Sequence, residues 1–77
     1  MEEKTLSFGE KAVGLMFNPS GDERVQSIKE DCAHIIDNLN DMRNKTESGE
    51  MKRLLSVAIT EAQSAQMWAV KGITWKD

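Results

Sequence analysis

The chain is poor in the residues that usually mark chemistry. It has one cysteine, one histidine, one proline and no tyrosine in 77 residues. A single cysteine, Cys32, excludes an intrachain disulfide. With His34 as the only histidine, a Cys/His zinc site built within one chain is excluded as well. No apolar run approaches the ~18 residues needed to span a membrane. The start, Met1-Glu2-Glu3-Lys4, is acidic and lacks the apolar core of a leader, so a soluble cytosolic protein is expected. The formal net charge of −3 argues against binding a DNA or RNA polymer. It leaves room for a small phosphate ligand held by a few local cations. There is no Walker loop, dinucleotide fingerprint or nucleophile elbow. Catalysis is not expected, and no cofactor is implied.

What is present is helical periodicity. Val25, Ile28, Cys32, Ile35, Leu39 and Met42 repeat at alternating spacings of three and four, a stripe with coiled-coil spacing. Asp22 or Ser20 caps its start, and Arg43 and Lys45 suit its end. Thr46–Gly49 reads as a short turn joining antiparallel helices, with Ser48 a cap for the next one. Met51, Leu55, Ala58, Ala62, Ala65, Ala69 and Gly72 form a second seam, which shrinks from large residues to small ones. Leu54, Val57, Ile59, Met67, Trp68, Val70 and Ile73 lie beside it and cover more than one face. A two-helix hairpin cannot bury all of these, so self-association is expected.

Ahead of the hairpin, residues 6–16 read as a short helix capped by Ser7. Gly9 and Gly14 weaken it by roughly 1 kcal/mol each relative to alanine, so the arm is expected to need partner contacts. The expected fold is all-α in a single domain. A short helix covers about 7–16, a turn 17–22, a helix about 23–45, a turn 46–49 and a helix about 50–73. The turn Phe17-Asn18-Pro19-Ser20-Gly21-Asp22 holds the only proline. Pro19 fixes φ, and Gly21 is free to adopt a left-handed conformation.

The candidate site residues each carry a plain reading beside a functional one. Asp37 and Asp41 share a helix face, and a solvated acidic face is preferred to a cation clamp. Cys32 reads as a small buried residue and His34 as a surface one. Gln63 and Gln66 need partners in a close-packed seam or else face solvent. Trp68 and Trp75 read as interface anchors. Phe8 and Lys11 share a face, and an aromatic plate beside an ammonium suits a nucleotide. Arg24 and Lys29 lie just beyond the turn and add charge. The alternative is that these cations are ordinary surface groups and that Phe8 and Phe17 pin the arm to the hairpin.

Two segments, FGEKAVGLMFNPSGD over Phe8–Asp22 and LLSVAITEAQSAQMWAVKGITWKD over Leu54–Asp77, resemble a phage family. The first continues through Val25, Ile28 and Lys29. The segments cover more than half the chain and are similar to the hairpin domain shared by the anti-CBASS cyclic-nucleotide sponge and the Thoeris anti-defence sponge. The resemblance implies a protein that binds the small nucleotide signals of bacterial immunity without cleaving them. It implies a helical homohexamer with cyclic dinucleotides held between protomers and cyclic trinucleotides in separate pockets. The cytoplasm of an infected bacterial host follows as its location.

Carried over by position, Phe8 is the candidate stacking residue and Asn18 the base-edge reader. Pro19 and Ser20 shape the wall, and Lys11, Arg24 and Lys29 are candidate phosphate partners. Lys71 and Thr74 are assigned to a second site. With no tyrosine in the chain, a tyrosine stack in the family is matched here at best by phenylalanine. The extra N-terminal domain that Thoeris sponges can carry is not expected here, which favours the anti-CBASS branch; a sponge for Thoeris cyclic ADP-ribose signals is the alternative. Two other function classes stand beside this one: a helical adaptor that binds a protein through its apolar face, and a hydrolase of the same nucleotides. The missing metal cluster argues against the hydrolase.

Overall fold

The structure, a computed structural model, describes residues 5–77. The acidic start Met1–Lys4, on which the absence of a leader was read, lies outside the described residues. Those residues form three helices and no strand: α1 (Phe8–Ala12), α2 (Glu23–Lys45) and α3 (Gly49–Ile73). No helix among them is long and apolar enough to cross a membrane.

Each helix starts on a side-chain cap. Ser7 accepts from the Glu10 N–H while Glu10 reaches back to the Ser7 N–H, closing a capping box. Asp22 caps α2 by accepting from the Arg24 N–H, and Ser48 caps α3 by accepting from the Met51 N–H. The first helix is shorter than the sequence suggested. Gly14 adopts a left-handed φ of 61° and ends it. The Gly14 N–H donates to the Lys11 carbonyl and the Leu15 N–H to the Glu10 carbonyl, which is the paired closure of a Schellman turn. Residues 13–16 therefore form turns, and Leu15 swings into the core.

The core is small: Val13, Leu15, Ala33, Ile36 and Ile59, with Ala12, Cys32, Leu39 and Ala62 packed around it. The inward face of α2 runs Val25, Lys29, Ala33, Ile36, one step round from the apolar stripe. Ile35 and Met42, which belong to that stripe, are exposed. On α3 the buried positions are Ile59 and Gln66 instead of the alanine seam, and Met51 and Ala65 are exposed. The physical reason is the arm. It packs on α2 and meets α3 through Gln63 and Ile59, and needs a face that carries hydrogen-bonding groups as well as methyls.

The arm is held within the chain by polar clamps. Asp37 accepts from the Ser7 hydroxyl at 2.7 Å and from the Gly9 N–H at 2.6 Å. This corrects its reading as a solvated acid; Asp41 does face solvent and pairs with Lys45. Gln63 is likewise not turned to solvent, since its Nε2 donates to the Ala12 carbonyl at 3.0 Å. Arg43 bridges α2 and α3 by donating to Asn40 and Ser56. Its guanidinium sits 5.4 Å from the centre of the Phe8 ring.

The molecule measures 46 × 39 × 12 Å. Its thickness is that of one helix with its side chains, so the three helices form a single layer. A radius of gyration of 14.1 Å exceeds the roughly 11–12 Å of a compact chain this long. The exposed Leu54, Val57, Met67 and Trp68 are the consequence. One layer has broad faces and little inside.

Candidate ligand site

The site is built around the turn between α1 and α2. Within it Ser20 Oγ donates to Asn18 Oδ1 at 2.7 Å, Asn18 Nδ2 donates to the Asp22 carbonyl at 3.2 Å, and the Asp22 N–H donates to Ser20 Oγ at 3.1 Å. Gly21 takes a φ of 65°, which a side chain would strain. These bonds make the elbow rigid by consuming most of its own polar groups.

Lys29 reaches up from α2 beneath this elbow. It is 5% exposed. Its ammonium donates to the Gly14 carbonyl at 2.9 Å and also to the Phe17 carbonyl, and sits 5.5 Å from the centre of the Phe17 ring. Those two carbonyls are the ends of a turn closed by the Phe17 N–H on the Gly14 carbonyl. An ammonium carries three donors, so one remains. No carboxylate pairs with Lys29 among the described residues. A buried positive charge met only by neutral groups is costly, and an anion beside it recovers part of that cost.

Two clefts open on either side of Lys29. The smaller, about 220 Å³, is lined by Phe17, Asn18, Pro19, Ser20, Val25 and Lys29, with Val70 and Thr74 from α3. The larger, about 510 Å³, is lined by Lys11, Phe17 and Lys29 together with Gln66, Met67 and Val70. Both are mainly apolar with a few polar groups, the usual make-up of small-molecule sites.

Of the residues singled out from sequence, Asn18, Pro19, Ser20, Lys29 and Thr74 come together in the smaller cleft. Lys11 stands at the larger one. Arg24 is exposed and forks onto Asp22, with its Nη2 2.8 Å from Oδ2. That bond holds the Asp22 carboxyl below the ordinary aspartate range and raises the Arg24 guanidinium. Thr74 lines the smaller cleft beside the turn, and the Lys71 ammonium on the same helix lies 5.3 Å over the Trp68 ring. Phe8 stands apart from both clefts, 45% exposed on the far side of the arm against Arg43. Sequence reasoning left Gln66 and Val70 out of the site. The one signal for Gln66 was an irregularity, a glutamine pair set into an alanine seam.

No group of three or more His, Cys, Asp or Glu side chains suited to hold a metal occurs among the described residues. Burial, and secondarily the Asp31 charge, push the Cys32 thiol above its ordinary value, away from the thiolate a nucleophile needs.

Comparison with known families decides the broader question. The model of the Acb2/Tad1 hairpin domain matches residues 10–74. The chain belongs to the Acb2/Tad1 hairpin-domain family. No curated protein and no solved structure matches it. The Acb2/Tad1 match covers the whole elbow, Lys29, both clefts and the hairpin, and stops short of Phe8 on one side. Membership implies a cyclic-nucleotide sponge role in the broad sense, and Acb2/Tad1 proteins are binding proteins of that type and not known as enzymes.

Proposed function

We propose that this protein binds cyclic oligonucleotide immune signals and sequesters them uncleaved, so that CBASS effectors are not switched on. The observation that carries the reading is Lys29. Its ammonium is buried between two apolar clefts, has a donor to spare and has no carboxylate partner among the described residues. A phosphate diester supplies the missing charge. Sequestration asks for affinity and copy number and for no catalytic group.

In this reading Lys29 and Lys11 hold phosphates at the larger cleft. Asn18, Pro19 and Ser20 form the wall of the smaller one, and Arg24 offers the N–H groups that its fork with Asp22 leaves over. Phe8 stacks on a base from a neighbouring copy, because its own clefts lie out of its reach. The assembly is a homo-oligomer, a hexamer by analogy with the family, in the cytoplasm of an infected bacterial host. The single helical layer and the exposed Leu54, Val57, Met67 and Trp68 support assembly by giving it large apolar faces to cover. Lys71 and Thr74 are the candidate residues of a second site, for cyclic trinucleotides.

Calorimetric titration with cyclic dinucleotides, cyclic trinucleotides and cyclic ADP-ribose isomers tests this, combined with solution mass. The expected result is stoichiometric binding by an oligomer, with intact ligand recovered after denaturation. No heat and no thermal shift with any ligand overturns the reading. Ligand breakdown on long incubation replaces it with a hydrolase. A Phe8→Ala variant is expected to stay oligomeric and to bind cyclic dinucleotide roughly five- to 150-fold more weakly, since base stacking is worth about 1–3 kcal/mol. Unchanged affinity removes Phe8 from the site.

A further inference from the structure

Three cation–aromatic pairs stand among the described residues, and they are not alike. Arg43 beside Phe8 has its guanidinium committed to Asn40 and Ser56, away from both clefts. Lys71 over Trp68 joins two neighbours on the outer surface of α3. The third pair is Lys29 beside Phe17. The lysine is 5% exposed and the phenylalanine 72% exposed. Both line the smaller cleft and the larger one, which of the other lining residues only Val70 does. An aromatic plate beside an ammonium suits a nucleotide, and the sequence pointed to Phe8 and Lys11 for it. The fold assembles that pair at Phe17 and Lys29.

The fold itself has little use for the Phe17 ring, which takes no part in the core. An aromatic face left in water forgoes the gain of burial. Yet its backbone is pinned on both sides. The Phe17 N–H donates to the Gly14 carbonyl, and the Phe17 carbonyl accepts from Lys29. Pro19, two residues on, restricts the chain beyond it. A plate seated this firmly is ready before ligand arrives, which lowers the ordering cost of binding. The larger cleft carries an independent sign of a ligand. Gln66 is 6% exposed, makes no hydrogen bond among the described residues and keeps its amide open to that cleft. Buried amides are normally paired.

We infer that Phe17 is the plate on which a nucleobase stacks in the clefts of its own chain, with Lys29 beside it taking the phosphate. The role rests on the cyclic-nucleotide reading above, which leaves Phe17 as wall. Phe8 cannot fill it, since its ring lies against Arg43 on the far side of the arm. Every base has a π face, so the plate sets affinity and not the choice of base.

The test is calorimetric titration of the full-length protein with cyclic di-AMP, cyclic GMP–AMP and cyclic tri-AMP, alongside solution mass and proton NMR of the bound ligand. Phe17→Ala is expected to melt within about 4 °C of wild type, because the ring lies outside the core. It is expected to keep the wild-type mass and to bind about five- to 150-fold more weakly. Phe17→Leu keeps an apolar side chain without the flat face and is expected to recover little. Phe17→Tyr keeps the face and is expected to come within about threefold of wild type. The base protons of bound ligand are expected further upfield with wild type than with Phe17→Leu, since an aromatic ring shields a base stacked on it. A Phe17→Ala protein that binds like wild type overturns the inference. So do a Phe17→Leu protein that binds like Phe17→Tyr, which marks plain apolar cover, and base protons that do not differ between wild type and Phe17→Leu. Affinity lost together with a lighter assembly overturns it too, as the mark of a contact between copies. Each of these leaves the sponge reading standing. Should Phe17→Ala fail to fold, the leucine and tyrosine variants decide. No wild-type binding of any of the three ligands ends both readings.

Discussion

Lys29→Met is expected to lower the melting temperature by about 10–20 °C and to remove cyclic-dinucleotide binding. The ammonium makes two hydrogen bonds to backbone carbonyls, Gly14 and Phe17, which are the two ends of one turn. Bonds from a charged donor are each worth about 1.5–3 kcal/mol when lost. Some of that returns, because methionine fills the same space without the desolvation cost of a charge. A net loss of about 2–3 kcal/mol remains, and a domain this small shifts by about 4–8 °C per kcal/mol. Binding suffers separately, since the phosphate loses its buried cation. Lys29→Arg separates the two effects. It keeps the charge, but a planar fork does not reproduce a compact ammonium seated between two carbonyls. It is expected to melt early and to retain part of the affinity. Thermal denaturation at fixed protein concentration and calorimetry well below the melt read both quantities. A Lys29→Met protein that melts within 2 °C of wild type and binds normally would remove Lys29 from the turn and from the site alike.

Lys29 also shows why part of the fold was legible in the sequence and part was not. The helices announced themselves through local chemistry: the caps Ser7, Asp22 and Ser48 and the three-four spacing of α2 act over a few residues, and local signals survive any tertiary arrangement. The face that α2 turns inward did not announce itself. Periodicity ranks faces by hydrophobicity, and a lysine counts against the face it stands on. Lys29 is inward because carbonyls 12 and 15 residues away need a donor. Asp37 is half-buried for the same kind of reason, with partners 28 and 30 residues back. Neither partner is visible in a helical window. The stripe that was read, through Ile35 and Met42, is real but stays exposed in one copy of the chain. Those residues are free for contacts between copies.

The site divides along the same line. The elbow from Phe17 to Asp22 was readable as a turn because Pro19 and Gly21 act on their own backbone. Its side-chain network was not, and that network is what commits Asn18 to the fold. Thr74 came into the same cleft only because α3 folds back beside the elbow. Phe8 and Lys11 share one turn of α1, yet Lys11 lines the larger cleft while the Phe8 ring lies against Arg43, a partner on α2 that no local signal announces.

Gly9→Ala makes the sharpest test of how the arm is seated. Helix propensity alone favours the substitution by up to about 1 kcal/mol. Packing opposes it. A methyl built on Gly9 lands on the Ala33 carbonyl oxygen of α2 and lies 2.8 Å from the Asp37 carboxylate. A backbone carbonyl inside a long helix has nowhere to go, so the arm must lift. Lifting breaks the Ser7 and Gly9 bonds to Asp37, each worth about 1.5–3 kcal/mol as a bond to a charged group. It also loosens Val13 and Leu15, a large share of a small core. The opposing terms leave a net destabilisation of about 3 kcal/mol or more. Thermal denaturation should show it, and hydrogen exchange should show protection lost first at the Gly9, Lys11 and Val13 amides. Gly49→Ala serves as the control, because a methyl there meets nothing within 4 Å at the start of α3; it is expected to be neutral or slightly stabilising. Were Gly9→Ala to melt at or above wild type while Gly49→Ala behaved as expected, α1 could not lie against α2 as described. The Phe8 ring would then lose the Arg43 contact that sets it apart from the clefts, and with it the geometric reason for a site shared between copies.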